Sequence, residues 1–167
     1  MEFSAMAFFS PVSVICKAFL PLIMSALLLC SCGRGPVYEY PTHIRGADIA
    51  ATAKSQLGKP YRRGGISPRQ GFDCSGLVYW ACAQHGIAVP RTSKEQADVG
   101  HKVTRSALRP GDIVVFKSLW SGYHSGIYLG QGRFIHSPRP KTRVRIESLD
   151  LDYWKKRFVE GRRVARP

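Results

Sequence analysis

Acidic residues are scarce in this chain. Its 167 residues include 11 Asp and Glu against 25 Lys and Arg, which gives a formal net charge of +14. The basic residues concentrate towards the C-terminus, in residues 155–157 and 162–163. A surplus of this size either forms a solvated surface or attracts anionic partners, among which nucleic acid is a common one. Internal repeats and low-complexity tracts are also absent, so nothing indicates a repeat architecture.

Long apolar runs are lacking except near the N-terminus. Residues 18–31 are mostly apolar, but they are too few for the roughly 20 residues of a comfortable membrane span. The run ends in Leu27-Leu28-Leu29-Cys30-Ser31-Cys32, which resembles a bacterial lipoprotein cleavage site. We therefore expect a lipoprotein signal peptide over residues 1–31, a lipid on Cys32 and a tether over residues 32–45. An ordinary signal peptide or a single membrane helix is the alternative.

The chain has five cysteines, and few of them remain for the folded domain. Cys16 and Cys30 lie in the expected signal peptide, and Cys32 would carry the lipid. Cys74 and Cys82 share one predicted helix and lie about 12 Å apart by helical rise, which is too far for a disulfide. We therefore expect Cys82 to be an inert, packed thiol. Cysteine and histidine do not cluster as they do around zinc, so we expect no metal site.

The most informative stretch reads Gly-Phe-Asp-Cys-Ser-Gly-Leu-Val-Tyr-Trp, over residues 71–80. Apolar residues follow Cys74 at helical spacing, and Gly86 stands where such a helix would stop. Cys74 would then begin a helix, where unpaired backbone N–H groups and the helix dipole stabilise a thiolate. A thiol in such a position, near an imidazole, has a pKa well below the free value of about 8.5 and is a nucleophile.

Two histidines could supply the imidazole. Residues 123–130 are typical of a strand that begins at His124, followed by a tight turn at Gln131-Gly132 and a returning strand over residues 133–137. Such a hairpin can bring His124 and His136 to one end of a sheet, where one would act as general base and the other would orient it. Two histidines on a hairpin are nevertheless more often surface or core residues than catalysts.

Several separate motifs occur in a fixed order. They are Tyr61 with Gly64-Gly65, Asp73-Cys74-Ser75-Gly76, Pro90-Arg91-Thr92, residues 109–116, residues 124–128, and Phe134-Ile135-His136. Together they resemble the NlpC family of bacterial cell-wall cysteine peptidases over about residues 49–164. The ending, in residues 153–157 and 162–164, is most similar to the lipoprotein murein endopeptidases of the Spr type. The agreement in order and spacing carries this resemblance, since a lone Asp-Cys-Ser-Gly would be weak.

The resemblance implies a role for each position that matches the catalytic machinery. Cys74 matches the nucleophile, His124 the general base and His136 the polar residue that orients the base. The Tyr61 hydroxyl matches a group beside the site that helps to stabilise the oxyanion. The Cys74 backbone N–H, at a helix start, would be a second oxyanion donor.

Other positions bear on substrate recognition. Asp73 and Ser75 match residues that line the substrate cleft. Ser125 departs from the family, which usually has valine after the base, and it adds a hydroxyl near the site. Arg63 stands where an aromatic is more usual, which affects fine specificity rather than the reaction.

The family has a compact papain-like fold of the α+β class, and the sequence pattern predicts the same class over a single domain, residues 46–167. Its elements are helices over residues 47–57 and 74–85, a short helix opened by a capping box at residues 92–95 and ending near Gly100, strands over residues 113–116 and 144–146, the histidine hairpin, and a last edge strand at Val164. The N-terminal helices would pack on an antiparallel sheet. The helix bearing Cys74 must cross this sheet so that its N-terminus meets His124.

The resemblance implies an exported, lipid-anchored cysteine endopeptidase that hydrolyses peptide bonds in peptidoglycan stem peptides or cross-links. The hydrolysis that the resemblance implies needs no cofactor. Its anionic neighbours would then be lipid head groups, wall polymers and stem-peptide carboxylates rather than nucleic acid. We expect a monomer in the bacterial cell envelope, held by its lipid at the outer membrane and facing the periplasm. The alternatives are an acyltransferase or amidase on the same scaffold and a catalytically silent wall-binding lipoprotein. The scissile bond stays open between γ-D-glutamyl–diaminopimelate and the D-alanyl–diaminopimelate cross-link, with the ending mildly favouring the cross-link.

Overall fold

The computed structural model describes residues 43–118 and 122–165. The expected signal peptide, the expected lipidation site Cys32 and all of the tether except residues 43–45 lie outside the described residues, so these assignments stay predictions. Within the described ranges, no helix combines the length and the apolar character that crossing a bilayer requires.

The described part of the chain forms four helices: α1 (Gly46–Lys54), α2 (Cys74–Ala83), α3 (Ser93–Gln96) and α4 (Asp152–Lys155), besides a 3₁₀ turn at Arg105–Ala107. α1 is shorter than the predicted helix over residues 47–57, since the chain turns towards Gly58, whose φ is 82°. α3 opens with the predicted capping box at residues 92–95, but it ends at Gln96, short of Gly100. α4 is too short to show a helical period, and the sequence pattern does not predict it.

The strands form a small hairpin and a larger sheet. β1 (Ile66–Ser67) and β2 (Gly71–Phe72) form the hairpin, which the sequence pattern does not predict. The larger sheet contains β3 (His101–Val103), β4 (Ile113–Ser118), β5 (Gly122–Gly130), β6 (Arg133–His136), β7 (Arg145–Ser148) and β8 (Phe158–Arg163). Its strand order is β3-β8-β4-β5-β6-β7, and all neighbouring pairs are antiparallel. β5 and β6 meet at the predicted Gln131-Gly132 turn, where both residues have positive φ.

The sequence pattern places Val164 on an edge strand, and this prediction is wrong. β8 ends at Arg163 and lies between β3 and β4, so it has a partner on each side. Val164 lies just beyond the strand and is buried in the core. The alternation of side chains along a strand indicates which face is buried, but it does not indicate how many strands flank it.

β4 separates two apolar layers, because its side chains alternate between the two faces of the sheet. One layer lies between the sheet and the helices α1 and α2, and it includes Ile49, Ala53, Leu77, Ala81, Ile113 and Ile127. The other layer covers the opposite face and consists of Val114, Phe116, Phe134, Leu149 and Trp154. α2 packs across β5, so the first layer positions the start of α2 over the strand that carries His124. The α+β class is therefore confirmed.

Candidate active site

Cys74 is the first residue of α2. Asp73 precedes it as the N-cap residue, with an extended backbone (φ −89°, ψ 179°), and its Oδ1 accepts the Gly76 backbone N–H at 2.7 Å. The Cys74 side chain is partly exposed and thus accessible to a ligand. Its position at the positive end of the helix dipole favours negative charge on the sulfur.

Arg91 holds the two residues that flank Cys74. Its guanidinium binds both oxygens of the Asp73 carboxylate, with Nη1–Oδ1 at 3.0 Å and Nη2–Oδ2 at 2.6 Å. The same Nη1 donates to Ser75 Oγ at 2.9 Å. The Gly64 backbone N–H donates to Asp73 Oδ2 at 2.8 Å, which ties the preceding loop to the same carboxylate. Asp73 and Ser75 are therefore fixed in place, and Asp73 joins three segments of the chain at the start of α2.

The loop that follows Tyr61 packs closely against α2. A Cβ atom on Gly76 would lie 2.0 Å from the Gly65 carbonyl oxygen, so this approach requires glycine. Burial, followed by the negative charges that Cys74 and Asp73 can carry, raises the pKa of the Tyr61 hydroxyl above its ordinary value. The hydroxyl therefore keeps its proton at neutral pH and can donate a hydrogen bond.

Three adjacent strands carry the remaining groups. His124 on β5 and His136 on β6 meet with 2.8 Å between His124 Nε2 and His136 Nδ1, and the two side chains are buried. Glu147 on β7 lies 3.1 Å from His136 Nε2 through its Oε2. Trp154 of α4 donates its indole N–H to the same carboxylate oxygen. The indole also stacks on the His124 ring, with 5.3 Å between ring centroids.

The Glu147 carboxylate fixes the direction of this chain of hydrogen bonds. Because a carboxylate can only accept, His136 Nε2 carries the proton, and His136 Nδ1 is left as an acceptor. His124 Nε2 must then donate to His136. This assignment leaves the lone pair of a neutral His124 on Nδ1, the ring nitrogen that can still accept a proton.

The charge states of Glu147, His136 and His124 agree with this assignment of the protons. Partial burial opposes ionisation of Glu147, but hydrogen bonds from His136 and Trp154 and the charge of Arg145 lower its pKa to about 2. Burial, and then the positive charge that His136 carries when it is protonated, lower the pKa of His124 to about 3, against the opposing effect of Glu147. Burial also lowers the pKa of His136. At neutral pH the carboxylate is thus charged and both imidazoles are neutral.

Sequence reasoning does not identify Glu147 as part of the site. A signal was nevertheless present, because the predicted strand over residues 144–146 leads directly into Glu147. Carboxylates are rare in this chain, with 11 Asp and Glu in total, and the neighbouring predicted hairpin carries His136. An acidic residue beside a histidine hairpin is the kind of residue that orients an imidazole.

The sulfur of Cys74 makes its hydrogen bond with Ser93 rather than with His124. Cys74 Sγ lies 3.4 Å from Ser93 Oγ. Ser93 Oγ in turn lies 3.0 Å from Ser125 Oγ, on the residue that follows His124 in β5. The structure therefore brings His124 and His136 into direct contact and links Cys74 to the same strand through two hydroxyl groups.

Cys82, the other cysteine of the described residues, differs from Cys74 in its burial. Cys82 and Cys74 are both free thiols, but Cys82 is fully buried among apolar side chains. Burial raises the pKa of the Cys82 thiol to about 12, so it stays protonated and unreactive at neutral pH. Across residues 43–118 and 122–165, no three His, Cys, Asp or Glu side chains are grouped closely enough to hold a metal ion.

Two murein endopeptidases of Escherichia coli (strain K12) are similar in sequence. Murein DD-endopeptidase MepH is 47% identical over 117 residues, which cover 67% of this chain and 43% of MepH. Murein DD-endopeptidase MepS/Murein LD-carboxypeptidase is 40% identical over 131 residues, which cover 75% of this chain and 69% of that relative. The chain thus matches less than half the length of MepH and about two thirds of the length of MepS.

Comparison of the fold with solved structures also finds a protein of the NlpC/P60 family. A crystal structure of an NlpC/P60 family protein from Bacillus cereus superposes with a TM-score of 0.68 at 35% identity, covering 76% of this chain and 42% of that one. The model of the NlpC/P60 family matches residues 58–163, which include Tyr61, Cys74, His124, His136 and Glu147. These similarities confirm the expected fold. The chain belongs to the NlpC/P60 family, as its motifs predict.

Proposed function

We propose that this protein is a cysteine endopeptidase that hydrolyses the D-alanyl–diaminopimelate cross-link of peptidoglycan. The observation that carries the reaction type is the direction of the Glu147–His136–His124 hydrogen bonds. That direction leaves a neutral His124 with a free lone pair, on the strand against which the Cys74 helix packs. A thiol at a helix N-terminus with such a base is the arrangement that acyl transfer requires.

In this mechanism His124 Nδ1 takes the proton from the Cys74 thiol as the sulfur attacks the scissile carbonyl carbon. The imidazolium that forms is stabilised by His136 and, through it, by the Glu147 carboxylate. The Tyr61 hydroxyl and the Cys74 backbone N–H stabilise the oxyanion. His124 then protonates the leaving amine, which leaves a thioester on Cys74, and the same imidazole activates the water that hydrolyses the thioester.

The choice of bond is supported by the relatives. MepH and MepS both carry the name murein DD-endopeptidase, and the ending of this chain favours the same cross-link. The family resemblance also allows the γ-D-glutamyl–diaminopimelate bond, and the two bonds release different fragments.

Digestion of defined cross-linked muropeptides tests this proposal. The purified protein should convert cross-linked dimers into monomers and release one new free amino group per bond, as measured by mass spectrometry and amine labelling. A chelator should leave the release unchanged, and iodoacetamide should stop it. Fragments cut at γ-D-glutamyl–diaminopimelate would reassign the bond, whereas binding to sacculi without any released amine would identify a silent wall-binding protein. Transfer of the acyl group to an added amine, in place of hydrolysis, would identify an acyltransferase.

We also propose that the protein acts at the cell envelope, anchored by a lipid on Cys32. Support comes from the lipoprotein-like site at residues 27–32 and from relatives named for murein, a polymer of the envelope. Cells that express the full chain should incorporate radiolabelled palmitate into the wild type and not into Cys32→Ala. Cys30→Ala, a change two residues earlier, should still be labelled. Equal labelling of the wild type and Cys32→Ala would refute the anchor without bearing on the hydrolytic site.

A further inference from the structure

Three polar side chains are buried between Cys74 and the interior of the protein. They are Ser93, Gln96 and Ser125, with 7%, 0% and 0% of their surfaces exposed. Ser93 Oγ lies 3.4 Å from Cys74 Sγ and 3.0 Å from Ser125 Oγ, and Ser125 Oγ lies 2.7 Å from Gln96 Oε1. The mechanism above uses none of these groups, although one of them contacts the nucleophile.

The amide of Gln96 fixes the direction of this second chain. Gln96 Nε2 donates to the Ser75 carbonyl at 3.1 Å and to the Pro90 carbonyl at 2.8 Å, so both amide protons are used. Gln96 Oε1 therefore faces Ser125, and because a carbonyl oxygen can only accept, the Ser125 hydroxyl must donate to it. The Ser125 oxygen is then left as an acceptor.

The orientation of the Ser125 hydroxyl also decides how the Ser93 hydroxyl is oriented towards Cys74. A hydroxyl has one proton, and the Ser93 proton is used in the bond to Ser125. Towards Cys74, Ser93 therefore presents a lone pair, which can accept a hydrogen bond from the thiol S–H but cannot donate one to a thiolate. A thiolate would need the Ser93 proton to turn towards sulfur, which would break the buried bond between Ser93 and Ser125.

We infer that Ser125 is a positioning residue that, through Ser93, holds Cys74 as a neutral thiol in the resting site. The inference rests on the proposed role of Cys74 as the nucleophile. Ser125 opposes the helix dipole and the positive charge of Arg91, which both favour the thiolate. The Asp73 carboxylate and the Tyr61 hydroxyl also face Cys74, but neither brings a positive charge that would favour it, and His124 is neutral. Proton transfer from Cys74 to His124 then accompanies attack on the substrate, and the thiolate is not formed in advance.

The rate of alkylation of Cys74 as a function of pH tests this inference without any hydrolysis assay. Wild type, Ser125→Ala and Ser125→Thr would be treated with iodoacetamide from about pH 5 to about pH 9, a range that brackets thiol titration. Mass spectrometry of the Cys74 peptide would give the modified fraction. Ser125→Ala frees the Ser93 proton for the thiolate, so we expect its alkylation midpoint to fall by about half to one pH unit. Its rate at neutral pH should rise about three- to tenfold.

Ser125→Thr is the matched control, since it keeps the hydroxyl and should keep the wild-type midpoint. A site that is merely loosened would change the plateau rate at high pH, where all the thiol is ionised, without moving the midpoint. An unchanged midpoint in a folded Ser125→Ala, or a shift that Ser125→Thr shares, would overturn the inference. Either outcome would leave the proposed function intact, because that proposal depends on whether hydrolysis requires Cys74.

Discussion

Replacing Cys74 with alanine will abolish the release of amino groups from cross-linked muropeptides. The substitution removes the atom that forms the thioester, and His124 alone has no nucleophile to activate. Losses of a catalytic nucleophile are typically about 10⁴-fold or more in turnover, which places the variant at the background of the assay. The measurement is the initial rate of amine release from purified dimers, with enzyme in excess so that residual activity is detectable.

Cys82→Ala is the control that this domain supplies, because it is the same substitution eight residues further along the same helix. Cys82 is fully buried and its pKa is raised to about 12, so it takes no part in chemistry at neutral pH. Cys82→Ala should therefore keep most of the wild-type rate, although the small cavity can lower the melting temperature. If Cys82→Ala loses hydrolysis at equal stability while Cys74→Ala keeps it, the nucleophile has been assigned to the wrong residue.

The second large effect concerns His124. His124→Ala should lower the single-turnover rate by about 100-fold to 10,000-fold, the usual contribution of a general base. His136→Ala should cost less, since water can partly replace a group that orients the base. Glu147→Gln should be milder than either, because its amide oxygen can still accept the protons of His136 and Trp154. The negative charge that stabilises the imidazolium is lost, and so is the ion pair between Glu147 Oε1 and Arg145.

The order of these three variants distinguishes the roles. A greater loss in His136→Ala than in His124→Ala would exchange the base and its orienting residue. His136→Gln is the matched comparison, since an amide can accept the proton of His124 Nε2 and should restore part of the rate. If His136→Gln is no better than His136→Ala in folded protein, the direction that we assign to the hydrogen bonds from Glu147 is wrong.

The local elements of the fold follow from the sequence more closely than their arrangement does. The start of α2 at Cys74, the capping box before α3 and the Gln131-Gly132 turn each depend on a few neighbouring residues, and each is present. The position of β8 between β3 and β4 depends on residues far apart in the chain. The alternation of side chains around Val164 carries no information about that pairing.

In the candidate active site, too, the local patterns could be predicted from the sequence, whereas the contacts between distant segments could not. A cysteine after a capping aspartate is a local pattern, and so is a histidine on each side of a tight turn. Glu147 and Ser93 reach the site only because β7 pairs with β6 and because α3 lies against β5. Their roles depend on which atoms can donate and which can only accept, and that depends on distances that appear only once the chain is folded.

The central position of β8 also determines what a shortened chain would expose. β8 is the last strand of the described residues, yet β3 pairs with it and β4 pairs with it along one edge. A chain that ended before α4 and β8 would leave β3 without its partner and one edge of β4 unpaired, and Glu147 would lack the hydrogen bond from Trp154. An unpaired strand edge is a template for pairing with another chain, so loss of the last strand would expose such a template in the middle of the sheet.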